Sequence, residues 1–79
     1  MNSRDFYKEA KDAIVAIAEE KYGETVTPDD VNIFWAADAL DMHRYFGKVT
    51  GGSDRIYLVT IEEFTEESFV KVYVPDEAE

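Results

Sequence analysis

The stretch that decides the fold is VNIFWAADALDMHRYFGKV, residues 31–49, which suits either one helix or two strands. It holds the only Trp of the chain, Trp35, together with three further aromatic residues. The segment TPDD just before it is typical of a helix start. Several strong helix formers follow, so one interpretation is a helix that continues to Phe46 and ends at Gly47. In that helix, however, Asp38 would lie in the middle of the apolar face.

In the alternative interpretation, the helix ends after one turn, and residues 31–39 and 44–50 form two strands joined around residues 40–43. Side chains alternate between the two faces of a strand. Under this alternation, Val31, Ile33 and Trp35 share one face of the first strand, opposite Asn32 and Phe34. In the second strand, Tyr45, Gly47 and Val49 alternate with Phe46 and Lys48. The aromatic residues of the hairpin would then form the core beneath a helix. Local propensity alone leaves both interpretations open.

The N-terminal segment, residues 2–22, predicts a helix with one buried face. Its apolar residues recur three and four positions apart, as expected for a helix that packs on a core. The predicted buried face consists of Phe6, Ala10, Ala13, Ile14 and Ile17. Asn2 is the expected N-cap, and Gly23 suits the left-handed residue that ends a helix.

The C-terminal half predicts two further strands. Residues 55–61, RIYLVTI, and 68–74, SFVKVYV, are rich in β-branched and aromatic residues, and the polar segment EEFTEE separates them. A turn containing two Gly residues precedes the first strand, and a Pro follows the second. In the last strand, one face is expected to carry Val70, Val72 and Val74, and the other Phe69, Lys71 and Tyr73.

The composition predicts a single folded domain over residues 1–79, with residues 75–79 as a frayed tail. There is no Cys, so neither a disulfide nor a thiolate metal site is expected. No apolar run is long enough to span a membrane, and the charged N-terminus does not suit a secretory signal, so a cytoplasmic protein is expected. The formal net charge of −10 disfavours direct contact with nucleic acid or an anionic membrane.

The order of these features can be compared with known families. The chain combines a helix opening with DFYKEAKDAIV, the motif VTPDDV with a Trp four residues later, Ala39-Leu40, a Gly- and Ser-rich turn before Tyr57, Val59-Thr60, and a last strand ending near Tyr73. This layout resembles a family of short phage and prophage proteins of unknown function, found mainly in Gram-positive hosts. The chain has Asp38-Ala39-Leu40 where that family usually has Lys-Thr-Leu.

The resemblance implies an origin in a mobile element and a β-rich segment over residues 31–49. It implies no activity and no catalytic residues. With it, the predicted fold is α+β, one N-terminal helix packed on an antiparallel sheet of about four strands. Two helices plus a β-hairpin remain the alternative.

No arrangement of reactive residues in the sequence points to an enzyme. The single His, His43, lies near the predicted turn and is expected to be an exposed turn residue. A catalytic base would need a nucleophile, and no Ser or Cys is placed as one. Asp29, Asp30 and the acids of residues 62–67 lack the alternating spacing of a calcium loop. The sequence therefore predicts a non-enzymatic protein without a cofactor, a metal site or catalytic residues.

The best functional signal is the acidic C-terminal end, since residues 62–79 carry a net charge of −6. Two Glu pairs, Glu62-Glu63 and Glu66-Glu67, flank Phe64, an apolar residue among acids that is typical of an interface as readily as of a core. The hypothesis is an acidic interaction protein that binds a basic surface of a host or phage protein, with Phe64 as an apolar anchor. Its sharpest form is an inhibitor of a nucleic-acid-handling defence complex, a DNA mimic with an anti-CRISPR-like role. Alternatively, these acids only keep a small domain soluble.

A second hypothesis concerns the sheet face that one helix cannot cover. Phe69 and Tyr73 are predicted to lie on that face, and an uncovered aromatic face favours a partner or a second copy. On this hypothesis, the protein is a small structural or assembly accessory that acts as a homodimer.

Overall fold

The computed structural model describes residues 5–51 and 54–74, in which one helix precedes a single antiparallel sheet. The elements are α1 (Phe6–Tyr22), a 3-10 helix (Pro28–Asp30), β1 (Val31–Ala39), β2 (Met42–Val49), β3 (Ile56–Glu62) and β4 (Glu67–Tyr73). The predicted α+β fold of one helix on four antiparallel strands is confirmed. The predicted cap Asn2 and the predicted tail 75–79 lie outside the described residues.

The stretch 31–49 forms a hairpin, because the helix start before it yields only one turn. The Asp30 carboxylate accepts hydrogen bonds from the backbone N–H of Thr27, at 3.0 Å, and from its hydroxyl, at 3.2 Å. Val31 already has extended backbone angles. The turn of the hairpin consists of Leu40 and Asp41 alone, so β2 begins at Met42, two residues before the predicted start.

The helix α1 has its predicted buried face and C-terminal end, but the expectation of Asn2 as its N-cap is wrong. The helix begins at Phe6, and its N-cap Asp5 accepts a hydrogen bond from the Lys8 backbone N–H at 3.1 Å. Gly23 ends it with a φ of 66°. The fully buried residues of α1 are Ala10, Ile14 and Ala18, with Phe6, Ala13 and Ile17 partly buried beside them. Among the described residues, no helix is long and apolar enough to cross a membrane.

The four strands form a simple meander in the order β1-β2-β3-β4, and α1 packs on one face of it. The helix-covered face contains three rows of side chains that continue across β2, β3 and β4. These rows are Tyr45, Val59 and Val70; Gly47, Tyr57 and Val72; and His43, Ile61 and Ser68. Val70 and Val72 thus face the helix as predicted, whereas Val74 follows the end of β4 and is 44% exposed.

Gly47 sets how closely α1 approaches the sheet. A Cβ atom at this position would lie 2.8 Å from Ile14 Cδ1 and 3.1 Å from Ile33 Cδ1. Both distances are shorter than ordinary carbon–carbon contacts, so the absent side chain provides the space that Ile14 occupies.

A β-bulge in β1 overturns one prediction. Ile33 pairs with Gly47 and Trp35 pairs with Phe46, which leaves Phe34 as an extra residue in the strand. One inserted residue reverses the alternation of side chains, so Trp35 faces away from α1 instead of sharing a face with Ile33. The expectation that Trp35 belongs to the core beneath the helix is therefore wrong, and its side chain is 46% exposed.

The sheet face opposite α1 is termed the open sheet face. No helix or strand among residues 5–51 and 54–74 packs over it. It carries Phe34, Trp35, Ala37, Ala39, Met42, Arg44, Phe46, Lys48, Ile56, Leu58, Thr60, Glu62, Glu67, Phe69, Lys71 and Tyr73. Phe69 and Tyr73 lie on this face as predicted, and they are 53% and 42% exposed.

Candidate functional site

The predicted acidic residues lie at the end of the sheet where both tight hairpin turns meet. The turn of β1 and β2 lies beside the turn of β3 and β4, and the Glu63 backbone N–H donates to the Asp41 carbonyl at 2.7 Å. This contact adds Asp41 to the acids that the sequence singled out, and His43, which bonds to both Asp38 and Glu63, adds Asp38. We term this surface the acidic hairpin end; it consists of Asp38, Leu40, Asp41, Glu62, Glu63, Phe64, Glu66 and Glu67.

Two exposed apolar side chains lie among these acids. Phe64, the predicted anchor, is 81% exposed, and Leu40 is 98% exposed in the neighbouring turn. Leu40 also has a φ of 51°, a backbone conformation that costs a non-Gly residue roughly 1 kcal/mol or more. Leu40 was not among the interface residues predicted from the sequence, although an apolar residue in the predicted turn of residues 40–43 is itself an unusual signal.

The negative charge of this surface is largely uncompensated. In the part of the chain that the structure describes, no Lys or Arg forms an ion pair with the carboxylates of the acidic hairpin end. The Glu62 carboxylate accepts a hydrogen bond from the Thr65 hydroxyl at 3.2 Å, which orients it within the turn. The remaining acids at this end are available to a cationic partner surface.

His43 lies directly beneath the acidic hairpin end and is buried, so the prediction of an exposed turn residue is wrong. The two-residue turn places His43 inside β2, on the face that α1 covers. Its Nδ1 lies 2.5 Å from an Asp38 oxygen, its Nε2 lies 3.2 Å from a Glu63 oxygen, and its ring stacks on Phe6 at 3.9 Å. The imidazole therefore joins β1 to the second turn.

The carboxylates also control the protonation of this imidazole. The hydrogen bond to Asp38 is the largest cause that raises the pKa of His43 above 6.5, and the bond and charge of Glu63 act in the same direction. Burial opposes this shift but does not reverse it. The two carboxylates thus shift the protonation equilibrium of His43 towards the charged imidazolium, which can donate a hydrogen bond to each of them.

The acids considered as metal ligands are used differently. Asp30 caps the short helix through Thr27, and Glu63 bonds to His43. Within residues 5–51 and 54–74, no group of three or more His, Asp or Glu side chains is arranged to hold a metal ion.

The remaining predicted interface residues, Phe69 and Tyr73, belong to the open sheet face rather than to the acidic hairpin end. The aromatic rings of this face form a connected cluster. Phe46 lies at its centre, with ring centroids 5.2 Å from Trp35, 6.1 Å from Phe34 and 6.4 Å from Tyr73. A shallow cavity of about 190 Å³ adjoins the cluster and is lined by Trp35, Ala37, Ala39, Met42 and Arg44. The predicted interface therefore divides into two surfaces of different chemistry.

Comparisons of the chain with known proteins found no matching family model, no match among curated proteins and no match among solved structures.

Proposed function

We propose that this chain is a non-enzymatic interaction protein whose acidic hairpin end binds a basic surface of another protein. The observation that supports the proposal is that two apolar side chains, Leu40 and Phe64, are both more than four-fifths exposed within a cluster of carboxylates. Apolar side chains surrounded by charge are typical of binding sites, where the apolar groups supply anchors and the charges supply orientation. Phe64 and Leu40 are the anchors of this proposal.

The sharpest form of the proposal is inhibition of a nucleic-acid-handling complex. Double-stranded DNA carries about one negative charge per 1.7 Å of helix axis, and proteins bind it with grooves lined by Lys and Arg. A compact cluster of carboxylates is a chemical substitute for phosphates in such a groove. We propose that the protein acts in the host cytoplasm as a phage or mobile-element product and blocks a groove of this kind in a defence complex.

The test compares capture of partners from a Gram-positive host lysate by three forms of the protein. The first is the unchanged chain, and the second carries Glu62→Gln, Glu66→Gln and Glu67→Gln. Glu63 is left unchanged because it holds His43. The third is a matched control with the same loss of charge elsewhere, Glu19→Gln, Glu20→Gln and Asp29→Asn, all at exposed positions.

The expected result is a partner that the unchanged chain and the control retain and the hairpin-end variant loses. Its binding should weaken steeply with salt, and double-stranded DNA should compete for it, because both ligands would use the same cationic groove. Phe64→Ser should weaken binding at every salt concentration. Equal capture by the hairpin-end variant at low salt would rule out this mechanism.

The second candidate function is a small structural or assembly accessory that acts as a homodimer. It is supported by a different observation, the aromatic cluster on the open sheet face. This function does not require Leu40 and Phe64, the apolar anchors of the acidic hairpin end.

A further inference from the structure

The open sheet face exposes a large aromatic surface to solvent. Phe34, Trp35, Phe69 and Tyr73 are each between 42% and 53% exposed. Since an aromatic side chain has about 150–250 Å² to bury, these four together leave roughly 400 Å² in water. The largest apolar patch on a typical monomer covers about 300–600 Å² and is often functional, so this patch is a candidate interaction site. Leu58 and Ile56, at the centre of the sheet, add to the patch.

The charges on this face differ from those of the rest of the molecule. Arg44, Lys48 and Lys71 lie among the aromatic residues, against only Glu62 and Glu67, although the formal net charge of the chain is −10. The charges are also sorted along the strands. The two acids occupy the row nearest the hairpin turns, and the three bases occupy the rows that follow it.

We propose that the occupant of the open sheet face is a second copy of the same chain, packed face to face with its strands reversed. The two-fold axis lies in the interface and runs across the strands, so that each strand faces its own copy in the opposite direction. The acidic row of one protomer then meets the far end of its partner's sheet. Glu62 faces the partner's Ile56 across β3 and lies diagonally opposite the partner's Lys48 on the neighbouring strand β2.

The same rotation matches the central rows of the sheet. Arg44 comes to lie against the partner's Phe46, and Lys71 against the partner's Phe69, which pairs each cation with an aromatic ring. The small Ala37 faces the partner's Trp35, so a large side chain meets a small one. Two copies of this face are therefore complementary in both charge and size.

Other arrangements and occupants are disfavoured by the same charges. A rotation that keeps the strands parallel would place the acidic row of one copy on the acidic row of the other, which costs free energy. A single-stranded nucleic acid would gain stacking on the aromatic rings, but Glu62, Glu67 and the net charge of −10 would repel its phosphates. A second copy supplies both the acids and the bases that this face needs.

The proposal deepens the second candidate function, which requires a dimer. It shares Glu62 and Glu67 with the acidic hairpin end, whereas Leu40 and Phe64, the apolar anchors of that end, lie outside the open sheet face. Its first test is sedimentation equilibrium from low micromolar to millimolar protein, together with the emission of Trp35. Because Trp35 is the only Trp and lies within the proposed interface, association should shift its emission to shorter wavelength as the concentration rises.

Two Phe→Ser variants are matched for this test. Phe69→Ser, on the open sheet face, should raise the dissociation constant of the dimer at least about tenfold. Phe64→Ser, at the acidic hairpin end, should leave the dimer unchanged while weakening the binding of a basic partner. The pair therefore separates failure of the dimer from failure of the proposed function.

A charge-reversal cycle tests the orientation. Glu62→Lys and Lys48→Glu should each weaken the dimer by about tenfold, because each places like charges diagonally opposite each other twice in a two-fold interface. The double variant should restore the dissociation constant to within about threefold of the original, since it re-forms the pair with its signs exchanged.

The proposal is overturned by a protein that stays monomeric at millimolar concentration with unshifted Trp35 emission. A dimer that the double variant does not restore would overturn the reversed-strand orientation. A monomer whose Trp35 emission responds to a single-stranded oligonucleotide would assign the face to nucleic acid instead of a second copy.

Discussion

At the scale of single residues, His43 shows how two nearby carboxylates can raise the pKa of a buried imidazole. Asp38 and Glu63 bond to its two ring nitrogens, and Phe6 covers one face of the ring. The cost of burying the imidazole is smaller than the attraction of the two carboxylates, since the net effect is a raised pKa. The stability of the acidic hairpin end therefore depends on pH.

The first prediction follows from the sign of this shift. Because the pKa of His43 is higher in the folded chain than its ordinary value of 6.5, the folded state binds the proton more tightly than the unfolded state. This contribution to stability is complete below pH 6.5 and is lost as the pH rises through the raised pKa. Urea unfolding at a series of pH values should show this fall. His43→Gln should remove it, and the same slope in that variant would contradict the assignment.

Leu40 carries the second prediction, which concerns backbone strain. Its φ of 51° is one that Asn adopts at lower cost than Leu, and its side chain is almost fully exposed, so that no packing is lost by the change. Leu40→Asn should raise the free energy of unfolding by roughly 1 kcal/mol. Phe64→Asn is the control, since Phe64 is exposed without a positive φ, and its effect should stay within about 0.5 kcal/mol.

The same change should act in the opposite direction on function. If Leu40 is an anchor of the acidic hairpin end, Leu40→Asn should weaken partner binding while it stabilises the fold. Unchanged binding by this variant would remove Leu40 from the proposed interface.

At the scale of secondary structure elements, the bulge in β1 decides which face of the sheet is aromatic. Phe34 is the extra residue, and its insertion turns Trp35 towards Phe46 and away from α1. A regular strand from Val31 would have placed Trp35 beside Ile33 beneath the helix. The extra residue Phe34 therefore decides whether Trp35 is buried beneath the helix or exposed on the open sheet face.

The third prediction tests the bulge directly. Deletion of Phe34 should leave Ile33 and Trp35 as ordinary neighbours opposite Gly47 and Phe46, so the remaining register is preserved. The deletion should therefore retain cooperative unfolding, with a loss of at most about 2 kcal/mol. Deletion of Leu58 from the central strand β3, which has regular pairing on both sides, is the control and should abolish cooperative folding. Equal effects of the two deletions would contradict this account.

At the scale of the whole molecule, the sheet has one covered face and one open face. Ile61 is 2% exposed beneath α1, whereas Leu58, three residues earlier in the same strand, lies on the open sheet face. The hydrophobic core is thus one-sided, and the second face contributes its full stabilisation only when something packs on it.

The fourth prediction compares these two residues. Ile61→Ala should reduce the free energy of unfolding by roughly 2–5 kcal/mol at any protein concentration. Leu58→Ala should cost about half as much at low concentration, where its face is in water, and more at high concentration, where a dimer would cover it. Thermal unfolding at two protein concentrations measures both effects. A cost for Leu58→Ala that does not change with concentration would argue against coverage by a second copy.

Much of the fold could be predicted because it follows from patterns among residues that are close together in the sequence. The spacing of apolar residues in α1, its end at Gly23 and the alternation in β4 all follow from neighbouring residues, and the structure has them as expected. The acids of residues 62–67 could be identified as a cluster for the same reason, since they are adjacent in sequence.

The remaining features depend on contacts between distant segments. The chain by itself left residues 31–49 between a helix and a hairpin, because either form suits the local propensities and only pairing with β3 and packing on α1 separate them in free energy. The burial of His43, the orientation of Trp35 and the position of Leu40 and Phe64 in neighbouring turns likewise need both hairpins in place. The sequence by itself determined α1, β3, β4 and the charge of this protein. The tertiary structure decided the hairpin of β1 and β2 and which residues share a surface, because long-range pairing brings together side chains that are far apart in the chain.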